Sequence, residues 1–371
     1  MPAAVSGVRP YPDLDRNVYA MLGLVFDAIT LDQAAAHLKA CAMEGRRCFF
    51  STPNVNFVIA SRKDPDFRIS VLESDLSLAD GAPVVWIARL LGVPLPERVA
   101  GSDLFERLRS MKDGRPLRVF FFGGAPGIAR RAAEVLNSEI SGLRCVGFIS
   151  PGFGALEEMS RPEILEQINS SGADFLVVSL GAKKGQRWIH MNRDQIKVPI
   201  VSHLGAVVNF VAGTLDRCPP WVGRLGLEWL WRIKEEPGLW RRYAGDGWAL
   251  LKEAPHLLSN SRHKHRTFGV PGASVEVTRT PERLVLAISH TLGYEDLPDL
   301  RSLASEAFAS GQTVVLDLSG LQALDSAALA FISLVVTRQP ECQVLLAPHC
   351  LKPLVARALA LHGLVPKPPT R

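Results

Sequence analysis

The chain has 371 residues, 47% of them hydrophobic and 21% charged, with 42 Lys and Arg against 37 Asp and Glu for a formal net charge of +5. That length and apolar content suffice for two domains with cores of their own, and so mild a charge without a Lys/Arg tract argues against a nucleic-acid partner. The six cysteines, at positions 41, 48, 145, 218, 342 and 350, show no metal-ligand spacing and sit mostly in apolar runs, so reduced core thiols are expected.

The amino-terminal MPAAVSGVRPYPDLDR lacks the apolar core of a targeting peptide. No later apolar run approaches the roughly 20 residues that cross a bilayer, so the expectation is a cytoplasmic protein, attached to the inner face of the cell membrane at most peripherally. Residues 20–50 predict a strand around Met21–Phe26, a helix LDQAAAHLKACAMEG capped by Thr30 and ended at Gly45, and a strand running into Thr52 and Pro53. Together they read as a βαβ start. Asn54 opens a helix VNFVIASR, a helix RISVLESDL follows, and SLADGAP reads as a short strand closed by Asp-Gly ahead of the helix WIARLLG. Thr52–Asp103 thus sets Thr52, Asn54, Asn56, Asp75, Asp80, Arg98, Ser102 and Asp103 among apolar elements. Two strand ends carrying Thr52, Asn54 and Asp80 would lie side by side at the carboxyl edge of a sheet, where open α/β sheets bind ligands. The competing reading makes Thr52 and Asn54 caps and Asp80 a turn aspartate. Asp64-Pro65-Asp66 looks like the acidic pair with which many sugar-nucleotide transferases hold a divalent ion. It falls between two helices in a KDPDF turn, where capping explains it without a metal.

Arg118–Phe122 predicts a strand entering Gly123 and Gly124 of a GGAPG turn, followed by the helix IARRAAEVLN. Such a turn lets backbone N–H groups approach a phosphate at a positive helix end. It lacks the full dinucleotide spacing, and no acidic residue is placed to hold a ribose, so a dehydrogenase is disfavoured. Strands at Arg144–Phe148 and Phe175–Ser179 follow, the second entering LGAKKGQRW, whose Gly181, Lys183, Lys184 and Gln186 suit a diphosphate or sugar hydroxyls. After the strand Pro199–Val201, His203 reads as a packed histidine rather than a base. Between Arg217 and Lys252 lie five of the seven tryptophans, interleaved with arginines. That composition fits a membrane interface, or a helical hairpin with Trp as core. PHLLSNSRHKHRTFGVPG reads as a linker. Beyond it, SVEVTRT, RLVLAIS, PDLRSLASEAFAS, TVVLDLS, SAALAFISLVVTR, QVLLAP and KPLVARALALHGL predict a second α/β unit without a catalytic constellation.

TPNVNF, ADG, PERVAGSDLF, FFFGGAPGIARRAAEVL, ISPGFG, VVSLGAKKGQRWI, HLGAVVNFVAGTLDRCPPW and GLEWLWRIKEEPGLWRRY, in that order, resemble the WecG/TagA/CpsF glycosyltransferases, glycosyltransferase family 26, over roughly residues 20–252. The resemblance implies a Rossmann-like, mostly parallel α/β sheet with a helical carboxyl-terminal appendage that docks at the membrane. It implies an inverting transferase that needs no cofactor or metal and moves a sugar from a nucleotide-diphosphate donor, UDP above all, to a polyprenyl-diphosphate-linked saccharide in exopolysaccharide or cell-surface polysaccharide synthesis. Carried onto this chain, it makes Asp80 the base, Thr52 and Asn54 the residues that orient donor or acceptor, and Arg98 the holder of phosphate or sugar. Asn56, Asp103, Gly123, Gly124, Gly181, Lys184 and Gln186 become substrate-binding, and Arg232 and Arg242 meet the departing diphosphate. The chain departs from the family at GAPKQE, where Gly185 takes the glutamine register and Gln186 comes one place later, and at Gly238-Leu239, where an arginine is usual.

TVVLDLSGLQALDSAALAFI resembles STAS domains, which implies a small α/β module binding a protein partner near Asp325 and Ser326, with Ser326 at the regulatory phosphorylation position. Ala327-Ala328 replaces the usual Ser-Gly, and a plain helix cap at Asp325 or Ser326 is the competing reading. The expected domains are 1–255, the transferase with its appendage at about 217–252; 256–272, a linker; and 273–371, the STAS-like module. The other reading is a nucleotide-binding regulatory protein with an inactive transferase domain, against which the retained Asp80 argues.

Overall fold

A computed structural model describes residues 14–152, 154–224, 226–261, 272–339, 341–346 and 353–364. They form two compact units: Ile29–Leu90 with Pro94–Ala254, and the described parts of Met1–Ala28, Leu91–Val93 and Pro255–Arg371.

The described chain opens on a hairpin, β1 (Val18–Met21) and β2 (Leu24–Asp27), turned at Leu22 and Gly23, both at positive φ. This corrects the single strand expected over Met21–Phe26 and the βαβ start built on it. The apolar run hides a reversal because both hairpin strands are buried, leaving no polar turn residue to mark it. The hairpin forms its own two-stranded sheet and belongs to the unit that holds the carboxyl-terminal residues. There the Gly23 N–H donates to His362 Nε2 at 3.3 Å, and the Tyr19 ring stacks on Tyr294 with centroids 6.3 Å apart.

The larger unit begins with α1 (Leu31–Glu44), where Thr30 and Gln33 form a reciprocal capping box. It continues through β3 (Cys48–Ser51), α2 (Val55–Lys63), α3 (Pro65–Leu72), β4 (Leu76–Ser77), α4 (Ala82–Leu91), α5 (Gly101–Ser110), β5 (Leu117–Gly123), α6 (Ile128–Ser138) and β6 (Leu143–Ile149). Then come α7 (Pro162–Ser170), β7 (Phe175–Ser179), α8 (Ala182–Asn192), β8 (Ile200–His203), α9 (Val207–Val211), α10 (Pro220–Arg224), α11 (Glu228–Glu235) and α12 (Leu239–Ser261). Six strands pair in the order β4-β3-β8-β7-β5-β6, all parallel. A parallel sheet is covered on both faces, so its strands are apolar throughout. Phe50, Phe121, Phe175 and Val177 fill one core, and Phe49, Phe120, Phe122, Leu176 and Val178 fill the other. The expected linker is helical as far as Ser261, the end of α12. Its remainder, 262–271, lies outside the described residues, as does Cys350.

The smaller unit adds β9 (Ser274–Arg279), β10 (Arg283–Leu292), α13 (Leu297–Ala309), β11 (Thr313–Leu324), α14 (Ser326–Arg338), β12 (Gln343–Leu345) and α15 (Pro353–Leu361). Its sheet runs β12-β11-β10-β9, with β9 antiparallel to β10 and the other pairings parallel. Asp325 caps α14, one carboxylate oxygen accepting from the Ala328 N–H at 2.8 Å and the other from the Tyr294 N–H at 2.8 Å. Ser326 is the first helical residue. Asp325→Ala removes both acceptors, and an expected loss of about 1–2 kcal/mol follows from the cap alone. Chemical denaturation of the variant checks it.

Candidate active site

The pairing of β3 with β4 outlasts both strands. The Leu78 N–H donates to Ser51 O at 2.9 Å and the Asp80 N–H to Pro53 O at 3.1 Å, which carries Asp80 up beside Asn54. The strand expected through SLADGAP is therefore only Leu76–Ser77, prolonged by single bonds. Gly81, at φ +93°, supplies the turn into α4 that a residue with a Cβ adopts only with strain. A third segment joins when the Val99 N–H donates to Ala79 O at 2.9 Å, setting Arg98 alongside.

These ends open into a cavity of about 600 Å³ whose opposite wall comes from the appendage. Asn54, Asn56, Asp80 and Arg98 line it from the sheet side, and Glu228, Trp229, Arg232, Trp240, Arg242 and Asp246 face them from α11 and α12. Arg98 is ion-paired to both Asp103 and Glu228, and Arg217 joins the other oxygen of Asp103. The Asn56 amide donates to Asp246 at 3.2 Å. Arg232 pairs with Glu236 at 2.9 Å, and its buried Nε has no hydrogen-bond partner among the described residues.

Asp80 is the strand-end carboxyl of this cavity. Burial of its carboxyl, then the negative charge of Glu228, push its pKa up to about 7, with Asp103 adding to the rise and Arg98 and Arg232 opposing it. A carboxylate tuned to that range is matched to general-base work.

The other expected site residues divide. Asn54 both lines the cavity and caps α2, accepting from the Phe57 N–H at 3.2 Å. Thr52 is 7% exposed, packed beneath Gly101 at the start of α5, and is not on the cavity wall. Asp103 acts on the cavity through Arg98. Gly123 and Gly124 stand at the end of β5, Gly181 caps α8 and Lys184 lies in its first turn, all outside the cavity lining. A Cβ on Gly123 would lie 2.5 Å from Ser179 O, so close strand approach accounts for that glycine. The Lys184 ammonium donates to Gly154 O.

Gln186 is fully buried away from the cavity lining, donating to Ser51 Oγ at 2.8 Å and Ser70 O at 3.0 Å, so it braces β3 and α3. The departure at Gly185 has a steric reason, since a Cβ there would lie 2.1 Å from the His203 ring. His203 is itself buried, with Nε2 on Leu180 O, and burial lowers its pKa. Asp64 caps α3, accepting from the Phe67 N–H at 3.1 Å, and pairs with Lys183 and Arg187 at 3.7 Å. The tryptophans of the appendage are not core: Trp221, Trp240 and Trp248 are 63%, 54% and 63% exposed. Among the described residues no helix is long and apolar enough to cross a membrane.

Sequence reasoning passed over Glu228 and Asp246. Both stand among the tryptophans and arginines that drew attention to this stretch, and their acidity was the available signal.

A sequence profile of the Glycosyl transferase WecG/TagA/CpsF family matches residues 19–265, and one described as Mlab, STAS domain matches 275–365. A relative from Bacillus spizizenii (strain ATCC 23059 / NRRL B-14472 / W23), N-acetylglucosaminyldiphosphoundecaprenol N-acetyl-beta-D-mannosaminyltransferase, is 28% identical over 213 residues, 57% of this chain and 81% of its own length. A relative of the same name from Bacillus subtilis (strain 168) is 29% identical over 221 residues, 60% of this chain and 83% of its own. With a family match across most of the chain, on a parallel sheet whose carboxyl edge presents Asp80 and Arg98, the protein belongs to the WecG/TagA/CpsF family of glycosyltransferases and carries a STAS domain after the transferase region.

Proposed function

We propose that the chain transfers a sugar from a nucleoside-diphosphate donor, UDP-linked by preference, to a saccharide carried on a polyprenyl diphosphate, with inversion at the anomeric carbon. The observation that carries this reading is the cavity that places Asp80 opposite Arg232 and Arg242. Asp80 takes the proton from the acceptor hydroxyl as that oxygen bonds to the anomeric carbon. On the opposite face the bond from that carbon to the diphosphate oxygen breaks. The departing diphosphate gathers negative charge, and Arg98, Arg232 and Arg242 are the cations that meet it. Asn54 and Asn56 are placed to bond sugar hydroxyls.

The exposed tryptophans beside Arg241, Arg242 and Lys252 suit the headgroup region of an anionic lipid surface, where a lipid-linked acceptor presents its sugar. The relatives' names make N-acetylglucosaminyl-diphospho-undecaprenol the first acceptor to try and an N-acetylmannosaminyl donor the first donor. Purified enzyme with that acceptor and a panel of UDP-sugars, read by UDP release and by the anomeric configuration of the product, tests the proposal. Release from no donor, or a retained configuration, overturns it.

Transfer should not depend on magnesium or manganese, because Asp64 is committed to a helix cap and arginines face the diphosphate instead. Enzyme treated with a chelator is expected to keep its rate within about twofold, and added manganese should not raise it. A manganese-dependent recovery contradicts the assignment.

A further inference from the structure

The amino edge of the sheet, opposite the cavity, holds a cluster that the transferase chemistry does not use. His37 and Cys41 are one helical turn apart on α1 and so share a face. Gly45 ends that helix in the left-handed region, with its N–H on Ala42 O at 3.4 Å and the Arg46 N–H on Cys41 O at 2.8 Å. This tight reversal returns the chain over the end of α1, and β3 begins at Cys48, whose N–H donates to Pro199 O at 2.8 Å. The His37 imidazole and the two sulfurs then lie within 4.8 Å of one another. Sequence spacing gave no sign of this, because the third group arrives from a strand.

We propose that His37, Cys41 and Cys48 bind a zinc-type divalent cation through one imidazole nitrogen and two thiolates, joining α1 to β3. The geometry suits it. His37 Nε2 stands 3.6 Å from Cys41 Sγ. A tetrahedral zinc ion, at about 2.3 Å from sulfur and about 2.0 Å from nitrogen, holds two such ligand atoms about 3.6 Å apart. Both cysteines are almost wholly buried while His37 is half-buried, so solvent is nearest to the cluster on the imidazole side. Binding releases two thiol protons, and the dication with two thiolates is neutral, which a buried site favours. The neighbouring Arg46 is paired with Glu44 at 3.1 Å.

The test uses the full-length reduced protein, stripped of metal and titrated with cobalt(II). One equivalent should give a thiolate-to-cobalt charge-transfer band and the visible bands of a tetrahedral ion, both removed by zinc, and zinc should raise the melting temperature. His37→Ala should weaken cobalt binding by more than about 100-fold, beyond the 10–100-fold that loss of an outer-shell partner costs. Cys48→Ser should abolish the charge-transfer band. Because a core cysteine variant can fail to fold, the half-buried His37 carries the decision. An octahedral cobalt spectrum without charge transfer, a band unchanged in His37→Ala, or zinc lost on desalting overturns the proposal. So does reduced protein that takes up no metal and forms the Cys41–Cys48 disulfide in air.

Discussion

Asp80→Asn is expected to lower kcat by at least about 100-fold, the usual cost of losing a general base, while the sheet and cavity stay intact. The native enzyme should show kcat/KM rising with pH and levelling above about 7, the value to which burial and Glu228 bring the free carboxyl. The variant should lose that limb. Stability gives an independent reading with the opposite sign from an ordinary salt-bridged carboxylate. The folded pKa lies above the unfolded value of about 3.9, so between these values the unfolded chain has lost the proton that the folded one keeps. The contribution of this group is therefore full below about pH 4 and is lost as pH rises through about 7. Asn carries no charge, so the variant should be at least as stable as the native protein at pH 8, and the advantage should vanish near pH 4. Denaturant midpoints at the two pH values measure this. Near-native turnover in a folded variant removes Asp80 from the mechanism.

Asp80 could be located from sequence because its signals are local. A Thr-Pro stop, an Asp-Gly turn and apolar runs of strand length put it at a strand end, and the backbone bonds of Leu78 and Asp80 realise that placement. The parallel sheet was legible for the same reason, since runs such as Val119–Phe122 are apolar on both faces and belong between two layers of helices. Long-range pairings were not legible. Gln186 looks like a polar loop residue until β3 and α3 close over it. Leu22-Gly23 turns inside an apolar run, and only its packing against the carboxyl-terminal residues makes a hairpin stable there. The cysteine at 48 meets His37 and Cys41 only after a helix end folds back. Glu228 was missed because its significance is its distance from Arg98, which no spacing encodes.

The second large effect should come from Arg232 and Arg242. Both residues line the cavity from the appendage side. If the pair meets charge that grows as the diphosphate departs, Arg232→Ala with Arg242→Ala should lower kcat by on the order of 100- to 1,000-fold, the range measured when one preorganised donor to a developing anion is removed. Loss confined to KM would instead mark ground-state binding. Asp80 adds a check, because Arg232 opposes the rise of its pKa, so the pH limb of the residual activity should move upward. The exposed Trp240 and Trp248 lie on α12 and Trp221 on α10, and an effect on membrane docking has to be separated from an effect on chemistry. Trp221→Ala with Trp248→Ala should reduce binding to anionic vesicles and turnover of the lipid-linked acceptor, yet leave transfer to a soluble acceptor analogue unchanged. The arginine pair should fail on both acceptors. An arginine variant that works normally on the soluble analogue would confine the appendage to docking and leave Arg98 as the cation that meets the leaving group.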